Sequence, residues 1–424
     1  MKVFKFGGAS MKDATAVKNV CDIIGAYPNQ KLIVVVSAIG KTTNQFEELV
    51  SAYYSNDELR YKDSLNNIKQ FHFEIINQLQ IESSESLLND LNDVFEHLSR
   101  LFSHPKVENR PYQYDQVVSF GEFLSCKILT SYLISTGIKA TWLDARKLIR
   151  TDSSYQNGQI DWETTITLCK QSLLPLFEHV DLTITQGFIG HTAEGHTTTL
   201  GREGSDYSAG ILAYCCNAED VTIWKDVPGM LNADPKFFKD TKLLESISYN
   251  EAIELSYYGA SVIHPKTVQP LQQKNIPLFV KSFLNPKAQG TIISSDAHRD
   301  SQIPSYIVKF DQVLVTISPK DFSFIAEKQL TDIFEALSKM QVTINLMQNS
   351  AVNFSILIDR NKIDLDQLNL QLSNLYHIKY NENLELVTIR HFNERIIEEM
   401  KGEKLCLLEQ KTRTTARFVL GNIN

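Results

Sequence analysis

The chain has 424 residues, of which 43% are hydrophobic and 22% are charged, and its formal net charge is −8. This length and composition are typical of a globular protein with two or three domains, each able to bury a full hydrophobic core. The negative charge argues against a nucleic-acid partner and against an anionic membrane surface, because both carry negative charge themselves.

The N-terminal residues show no leader pattern, since Met1–Lys5 run directly into a glycine turn. The longest apolar run, Leu32–Val36, is far too short to cross a bilayer. The six cysteines show no CxxC spacing, and the ten histidines include no HExxH motif. We therefore expect reduced thiols, no protein-built metal site and a cytoplasmic location.

The first three hundred residues alternate β-rich runs with helical patterns, which indicates an α/β domain with a mainly parallel sheet. We predict strands at Val3–Phe6, Lys31–Ser37, Lys139–Asp144, Val180–Gln186, Asp220–Lys225 and Pro277–Lys281. Helices are predicted at Lys12–Tyr27, Thr43–Tyr54, Gly121–Thr136, Asp161–Phe177 and Ser205–Cys216. The polar stretch 57–103 is predicted to form a helical hairpin inserted in this domain, which we set at residues 1–295.

Turn-rich composition between Asn285 and Pro304 predicts a linker, set at 296–304, and a second pattern follows it. Residues 305–383 show the order β-α-β-β-α-β of a ferredoxin-like unit, and residues 384–424 show a shorter β-α-β-β copy. Repeats of such a unit favour a small-ligand sensor over a second catalytic site. The predicted elements are strands Val313–Ser318, Thr343–Gln348, Asn353–Asp359, His377–Tyr380, Leu384–Phe392, Lys404–Gln410 and Thr415–Leu420, and helices Glu327–Met340, Leu365–Leu375 and Glu394–Lys401.

The first candidate site lies where the first strand should end and a helix should begin. Lys5 is followed there by Gly7, Gly8 and Ser10. Glycines let backbone N–H groups close on an anion, and the lysine adds a positive charge. An ordinary strand-to-helix turn would explain the same residues.

A second strand end, Ser37–Asn44, is rich in hydroxyl residues and glycine. Ligands of open α/β sheets bind at the carboxyl ends of strands, so two such ends indicate a binding site. Helix capping alone would also account for Thr43.

The strongest signal is the segment Thr197–Gly210, where Arg202, Ser205 and Asp206 lie at the start of a predicted helix. A helix cap requires one residue, whereas this segment adds an arginine, three hydroxyl residues and several glycines. It favours an anionic substrate held by Arg202.

The segment Trp224–Lys236 follows another strand and suits a nucleotide-binding loop, with Asp226 toward ribose or base and Lys236 toward phosphate. A Pro-Gly surface turn explains it equally well.

Glu122, in the first turn of an apolar helix, fits either the helix dipole or the ammonium of a free amino acid.

Eight motifs closely resemble those of the monofunctional aspartate kinases, in order and in spacing, over residues 1–295. They are KFGGAS, SAIGKTTN, SFGE, TQGFIG, TTTLGREGSDYSA, WKDVPGMLNADP, SYYGASVIHP and LNPKAQGT. These kinases belong to the amino-acid kinase superfamily, and the tail of the chain resembles their paired ACT domains.

The resemblance implies a three-layer αβα catalytic domain followed by ACT repeats, the second of them truncated. It implies ATP-dependent phosphorylation of the side-chain carboxylate of L-aspartate to 4-phospho-L-aspartate, with Mg²⁺. This reaction is the first step toward lysine, threonine and methionine. We also expect a cytoplasmic homodimer or tetramer joined through the ACT-like domains.

Residue by residue, the resemblance implies that Lys5 stabilises the transferred phosphoryl group and that Asp206 orients Lys5. Arg202 would hold the α-carboxylate of the substrate, and Glu122 its ammonium. The acceptor carboxylate is already ionised at neutral pH, so no general base is needed. The other implied residues are Ser37, Thr43 and Ser205 for substrate, and Gly7, Gly8, Ser10, Lys225, Asp226, Lys236 and Ser261 for nucleotide.

Four residues depart from the family pattern, namely Ala9, Glu203, Leu231 and Ser261, and we expect them to weaken nucleotide affinity, with Lys266 compensating. In the tail, Asn345 stands where the family has an aspartate for an effector's ammonium, which predicts a weak response to lysine.

Two alternatives stay open: a kinase for glutamate, N-acetylglutamate or UMP, and a non-catalytic amino-acid sensor. Glu122 argues against N-acetylglutamate and UMP, because neither has a free ammonium.

Overall fold

The structure is a computed structural model that describes residues 1–81, 84–260 and 262–422. It divides into two compact units. The first consists of Met1–Met230, Leu243–Ile253 and Ser261–Arg299, and the second of Leu231–Lys242, Glu254–Ala260 and Asp300–Asn424. The second unit thus takes in two short segments from the first three hundred residues, and the predicted domain boundaries stay predictions.

The first unit is built on an eight-stranded sheet with the order β3-β4-β2-β1-β7-β9-β10-β8. All neighbouring strands are parallel except β9 and β10, which confirms the predicted mainly parallel sheet. A separate hairpin is formed by β5 and β6. The strands are β1 Lys2–Phe6, β2 Leu32–Val36, β3 Thr141–Trp142, β4 Leu182–Gln186, β5 Ile189–His191, β6 Thr197–Thr199, β7 Asp220–Lys225, β8 Ser246–Ser248, β9 Leu278–Ser282 and β10 Thr291–Ser294.

Ten α-helices are described between Ala14 and Gln273. They are α1 Ala14–Gly25, α2 Thr42–Ser55, α3 Glu58–Leu79, α4 Glu85–Leu101, α5 Arg110–Val118, α6 Phe120–Ser135, α7 Trp162–Leu168, α8 Gly204–Cys216, α9 Tyr249–Tyr258 and α10 Pro265–Gln273. The predicted helix Asp161–Phe177 is shorter than expected, because α7 continues as a π-helical turn, Cys169–Leu173, and a 3-10 turn, Leu174–Glu178.

The central strands of this sheet are apolar and buried, which places the sheet in the interior of the first unit. All five residues of β2 are buried, as expected for a strand covered by helices on both faces. Helices α3 and α4, in the stretch predicted to be a helical hairpin, contribute side chains such as Tyr61, Leu65, Leu91 and Phe95 to the same hydrophobic core.

Helices α5 and α6 form one continuous apolar stretch, Arg110–Ser135, which by length and composition alone could cross a membrane. However, 67% of its most apolar window is buried inside the protein. Val117, Leu124 and Ile128 lie in the hydrophobic core of the first unit. We therefore interpret this stretch as a core helix.

Strand β10 lies within the segment whose composition predicted only turns. It pairs antiparallel with β9 and parallel with β8. A run of only four residues between turn-forming segments is too short for its alternating burial to stand out in the sequence.

The second unit contains a six-stranded antiparallel sheet with the order β12-β13-β11-β14-β16-β15. Its elements are β11 Ser305–Pro319, α11 Glu327–Lys339, β12 Ile344–Asn349, β13 Phe354–Asp359, α12 Leu365–Leu372, β14 Tyr376–Arg390, α13 Glu394–Lys401, β15 Leu405–Lys411 and β16 Thr415–Gly421.

Two ferredoxin-like halves share this sheet. The predicted strands His377–Tyr380 and Leu384–Phe392 are in fact one strand, β14, and β11 is more than twice as long as the predicted Val313–Ser318. Bulges between Lys309 and Leu314 divide β11, so that its second part belongs to a complete β-α-β-β-α-β unit. Its first part, Ser305–Lys309, pairs with Leu386–Arg390 and supplies the shorter copy with a fourth strand.

Candidate active site

The carboxyl ends of β1 and β2 lie side by side and bring the first two predicted segments together. The N–H of Ser37 donates to the carbonyl of Phe6 (3.0 Å), and that of Gly40 donates to the carbonyl of Gly8 (3.2 Å). A Cβ added at Gly8 would lie 2.5 Å from the carbonyl oxygen of Gly40. Only glycine at position 8 therefore allows the two turns to approach this closely.

The start of α8 packs against the end of β4. The N–H of Gly187 donates to the carbonyl of Val36 (2.9 Å), which joins this strand end to β2. A Cβ at Gly187 would lie 2.6 Å from Cβ of Ser205. This contact holds Ser205 and the neighbouring Asp206 at the edge of the sheet where β1 and β2 end.

Lys5 and Asp206, predicted to act together, form an ion pair. Nζ of Lys5 lies 2.6 Å from Oδ1 of Asp206, whose side chain is only 3% exposed. The ammonium also lies over the glycine turn, since a Cβ at Gly7 would be 3.2 Å from it. Burial alone would raise the pKa of Asp206, but the ammonium groups of Lys5 and Lys225 outweigh burial and lower this pKa.

Lys225, at the end of β7, is the second cation on this carboxylate. Its Nζ lies 3.2 Å from Oδ2 of Asp206. The same ammonium donates a hydrogen bond to the backbone carbonyl of Val262. Lys225 was predicted to bind nucleotide, and the structure places it beside Lys5.

Beside this cluster lies a cavity of about 430 Å³, a volume within the range of small-molecule sites. It brings together all five residues predicted to bind substrate. Its lining consists of Ser37, Thr43, Glu47, Tyr114, Glu122, Gln156, Phe188, Thr199, Gly201, Arg202, Glu203 and Ser205.

Glu122 is the acidic group buried most deeply in this lining, with 2% of its surface exposed. The N–H of Ala38 donates to its Oε1 (3.3 Å), whereas its Oε2 has no hydrogen-bond partner among the described residues. Burial raises the pKa of Glu122 to about 8, although the hydrogen bond from Ala38 and the charge of Lys5 oppose this rise. A cationic group in the cavity would complete this site, because an unpaired buried carboxylate is costly.

Arg202 lies on the exposed side of the cavity, within the loop that leads to α8. Its neighbour Glu203 has φ 55°, a left-handed conformation that favours glycine. This conformation gives a physical reason for the glycine expected at position 203. The Oε2 atom of Glu203 is buried and has no hydrogen-bond partner among the described residues.

Sequence reasoning missed several residues of the site, among them Asp115, Glu47 and Tyr114. Asp115 is fully buried, and it accepts hydrogen bonds from the N–H (2.9 Å) and hydroxyl (2.8 Å) of Thr199 and from the N–H of Gln156 (2.9 Å). It therefore fixes two segments of the cavity wall. Glu47 and Tyr114 line the cavity and bind each other, the hydroxyl of Tyr114 donating at 2.7 Å. All three lie on α2 and α5, where a polar residue in an amphipathic pattern gives no distinct signal.

The other predicted nucleotide residues that the structure describes do not line this cavity. Ser10 is buried and its hydroxyl donates to the carbonyl of Gly7 (2.7 Å). Asp226 is exposed, and Lys236 belongs to the second unit, where its N–H donates to Asp234. Ser261 lies outside the described residues.

Lys266 and Leu231 were also singled out from the sequence. Nζ of Lys266 donates to Oδ1 of Asn157 (2.7 Å), an atom that would lie 3.1 Å from a Cβ at Gly201 in the cavity wall. Leu231 is half-buried and belongs to the second unit.

The chain resembles known proteins over most of its length. Residues 1–282 match the Amino acid kinase family. Lysine-sensitive aspartokinase 3 of Escherichia coli is 29% identical over 394 residues, which are 91% of this chain and 86% of that protein.

Two crystal structures have a similar fold. E. coli aspartokinase III in complex with aspartate and ADP, in the R-state, has a TM-score of 0.82 and 27% identity, over 99% of this chain and 96% of that chain. The same enzyme in complex with lysine and aspartate, in the T-state, also has a TM-score of 0.82 and 27% identity, over 99% and 95% of the two chains.

Proposed function

The chain belongs to the amino acid kinase family, and we propose that within this family it is an aspartate kinase. It transfers the γ-phosphoryl group of ATP to the side-chain carboxylate of L-aspartate and forms 4-phospho-L-aspartate. The similar E. coli enzyme binds aspartate and ADP, which supports this substrate pair. The product is the first intermediate on the way to lysine, threonine and methionine.

One observation carries the choice of a free amino acid as acceptor. The buried Oε2 of Glu122, in the wall of the cavity, has no hydrogen-bond partner within residues 1–81, 84–260 and 262–422. An α-ammonium group in this cavity supplies the partner that Glu122 lacks. Arg202 in the same wall is suited to the α-carboxylate, since a guanidinium binds carboxylates through two parallel hydrogen bonds.

The chemistry that follows is positioning and charge stabilisation. A carboxylate oxygen of aspartate attacks the γ-phosphorus, the bond from that phosphorus to the bridging oxygen of ADP breaks, and no proton is transferred. Lys5 stabilises negative charge on the transferred group, and Asp206 holds Lys5 in place through their 2.6 Å contact. Ser37, Thr43 and Ser205 complete the wall around the acceptor.

In this proposal Mg²⁺ would be held mainly by the phosphate oxygens of the nucleotide and by water. Among the described residues no group of three or more histidine, cysteine or acidic side chains could hold a metal ion, and Asp206 is already bound by two lysines. Mg²⁺ commonly binds through phosphate oxygens and water with few protein ligands, and when bound it neutralises phosphate charge.

The second unit provides the regulatory and assembly surface in this proposal. Its ferredoxin-like halves expose hydrophobic side chains, including Phe322 at 85% and Phe324 at 70%. A homodimer or tetramer formed through this unit would cover such residues, and we place the enzyme in the cytoplasm.

An ADP-release assay with aspartate, glutamate, N-acetylglutamate and UMP as acceptors tests this function. We expect turnover with aspartate, and at most weak turnover with the other three. Turnover with N-acetylglutamate or UMP instead would show that Glu122 does not select an ammonium. No turnover with any acceptor would favour the non-catalytic sensor.

A further inference from the structure

Two ammonium groups share one buried carboxylate at the edge of the sheet. Strands β1 and β7 are parallel neighbours, with Lys5 opposite Ile223, so Lys225 lies at the same end of the sheet as Lys5. Each lysine takes a different oxygen of Asp206, at 2.6 Å for Lys5 and 3.2 Å for Lys225. The side chains are 11% and 21% exposed, so water reaches both poorly.

This cluster carries more positive than negative charge. Two lysines and one aspartate sum to a net charge of +1. Glu122 lies in the adjoining cavity and is assigned to the ammonium of the substrate, so it is not counted in this cluster. Desolvated net charge is unfavourable unless an ion of opposite sign accompanies it. The cluster is therefore suited to an additional anion.

The hydrogen bonds of Lys225 leave capacity for such an anion. An ammonium has three N–H donors. One binds Asp206 and one binds the carbonyl of Val262, and within the described part of the chain no third acceptor is found. The two protein acceptors hold the ammonium in a fixed position, as expected of a group that stabilises charge during a reaction.

We propose that Lys225 is a second catalytic cation, which contacts the γ-phosphoryl group together with Lys5 while that group passes from ATP to the acceptor carboxylate. The proposal deepens the function proposed above and rests on it. No proton is transferred in this step, in which one phosphorus–oxygen bond forms and one breaks. This role differs from general nucleotide binding, because it concerns only the phosphate that ADP lacks.

The test variant is Lys225→Met, which removes the charge and keeps most of the volume. Its matched control is Lys281→Met on β9. Lys281 lies near the ring of Trp224, and among the described residues no ion pair or side-chain hydrogen bond joins it to Lys5, Asp206 or Lys225. We expect Lys225→Met to lower kcat at least ~10²-fold, a typical effect of losing one preorganised electrostatic contact. KM for aspartate should stay within about threefold of the wild-type value. Lys281→Met should behave like wild type.

A binding measurement separates this role from the alternatives without relying on turnover. Titration calorimetry with a non-hydrolysable ATP analogue should show about tenfold weaker binding to Lys225→Met, about 1.4 kcal/mol, with ADP affinity nearly unchanged. Equal losses for ADP and the analogue would assign Lys225 to general nucleotide binding. Wild-type affinity for both nucleotides together with wild-type kcat would overturn the proposal.

Thermal unfolding tests a purely structural alternative, in which Lys225 serves only to hold the backbone at Val262. In that case Lys225→Met would lower Tm clearly, and Lys225→Arg would restore Tm but not affinity for the analogue. We expect Tm to change little, since the variant also removes repulsion between two cations. If wild-type protein itself fails to turn over aspartate, the proposed function falls, whereas the nucleotide titrations still decide the role of Lys225.

Discussion

The ammonium of Lys5 lies 2.6 Å from Oδ1 of Asp206 and joins the end of strand β1 to the start of helix α8. Lys5→Ala should therefore lower kcat by about 10³-fold or more, since a single cation at a transferring phosphoryl group has effects on this scale. Aspartate binding should change little, because Lys5 does not line the cavity. Steady-state kinetics and calorimetry measure the two quantities.

The matched control is Lys2→Ala on the same strand. Lys2 also forms an ion pair with an aspartate, Asp220, but at the opposite end of β1. This variant should keep kcat near the wild-type value. Near-normal turnover in Lys5→Ala would contradict the role assigned to Lys5.

Arg202 lies in the wall of the cavity and is assigned to the substrate carboxylate. Arg202→Ala should raise KM for aspartate by about 10- to 150-fold, the effect of losing a hydrogen bond to a charged group of 1.5–3 kcal/mol. KM for ATP should change little. Arg299→Ala, which removes an exposed arginine paired with Glu245, serves as control. A large rise in KM for ATP with a normal KM for aspartate would mean that the two binding sites are interchanged.

Aspartate binding should depend on pH through Glu122. Burial raises the pKa of Glu122 from 4.5 to about 8 in the free protein, and only the ionised form pairs with an ammonium. Binding below about pH 8 must therefore release this proton, and the apparent Kd for aspartate should fall up to about tenfold per pH unit between about 6 and 8. Calorimetry in buffers of different ionisation enthalpy measures the proton release. A flat pH profile would contradict the assignment.

Glu122→Gln is the control for this pH dependence. The raised pKa of Glu122 also predicts that the free energy of unfolding depends on pH. Between pH 4.5 and about 8 the folded protein holds a proton on Glu122 that the unfolded chain has lost. The free energy of unfolding therefore decreases as pH rises through this window, and the glutamine variant should lack this decrease. The variant should also bind aspartate weakly at every pH.

The response to lysine should be weak, because Asn345 carries no charge and its side chain is already hydrogen-bonded within the second unit. It accepts a hydrogen bond from Nζ of Lys309 (2.8 Å) and donates to Oε1 of Gln312 (2.8 Å) and Oδ1 of Asp359 (2.7 Å). This amide offers no negative charge to an effector's ammonium, and the ammonium of Lys309 already occupies one lone pair of its oxygen. Titrating lysine at sub-saturating aspartate should give half-inhibition above about 1 mM, and inhibition well below that concentration would show a working effector site.

Much of the fold follows from local sequence patterns. The short buried strands of the first unit, such as Leu32–Val36, and the capped helices between them are visible as hydrophobic runs and periodicity. The continuity of β14 is not visible in the sequence, because Asn381–Asn383 has the composition of a turn. Only pairing with β11 extends the strand through these residues. Long-range pairing of this kind has no local signal.

The candidate site was predictable where a motif combines glycines with a charged residue, as at Lys5 and Arg202. The role of Asp115 could not be predicted, because it consists of accepting hydrogen bonds from Thr199 and Gln156, which come from distant parts of the chain. The position of Lys225 beside Lys5 likewise depends on the neighbouring strands β1 and β7 rather than on its own sequence.

The central claim is that the side-chain carboxylate of aspartate receives the phosphoryl group, and trapping the product with hydroxylamine tests it most directly. An acyl phosphate reacts with hydroxylamine to give a hydroxamate, which mass spectrometry identifies. Protein incubated with MgATP, L-aspartate and hydroxylamine should produce aspartate 4-hydroxamate in step with ADP release, and Lys5→Ala should produce at least ~10³-fold less per unit time. ADP release that yields only inorganic phosphate, or a hydroxamate of N-acetylglutamate but not of aspartate, would contradict the account.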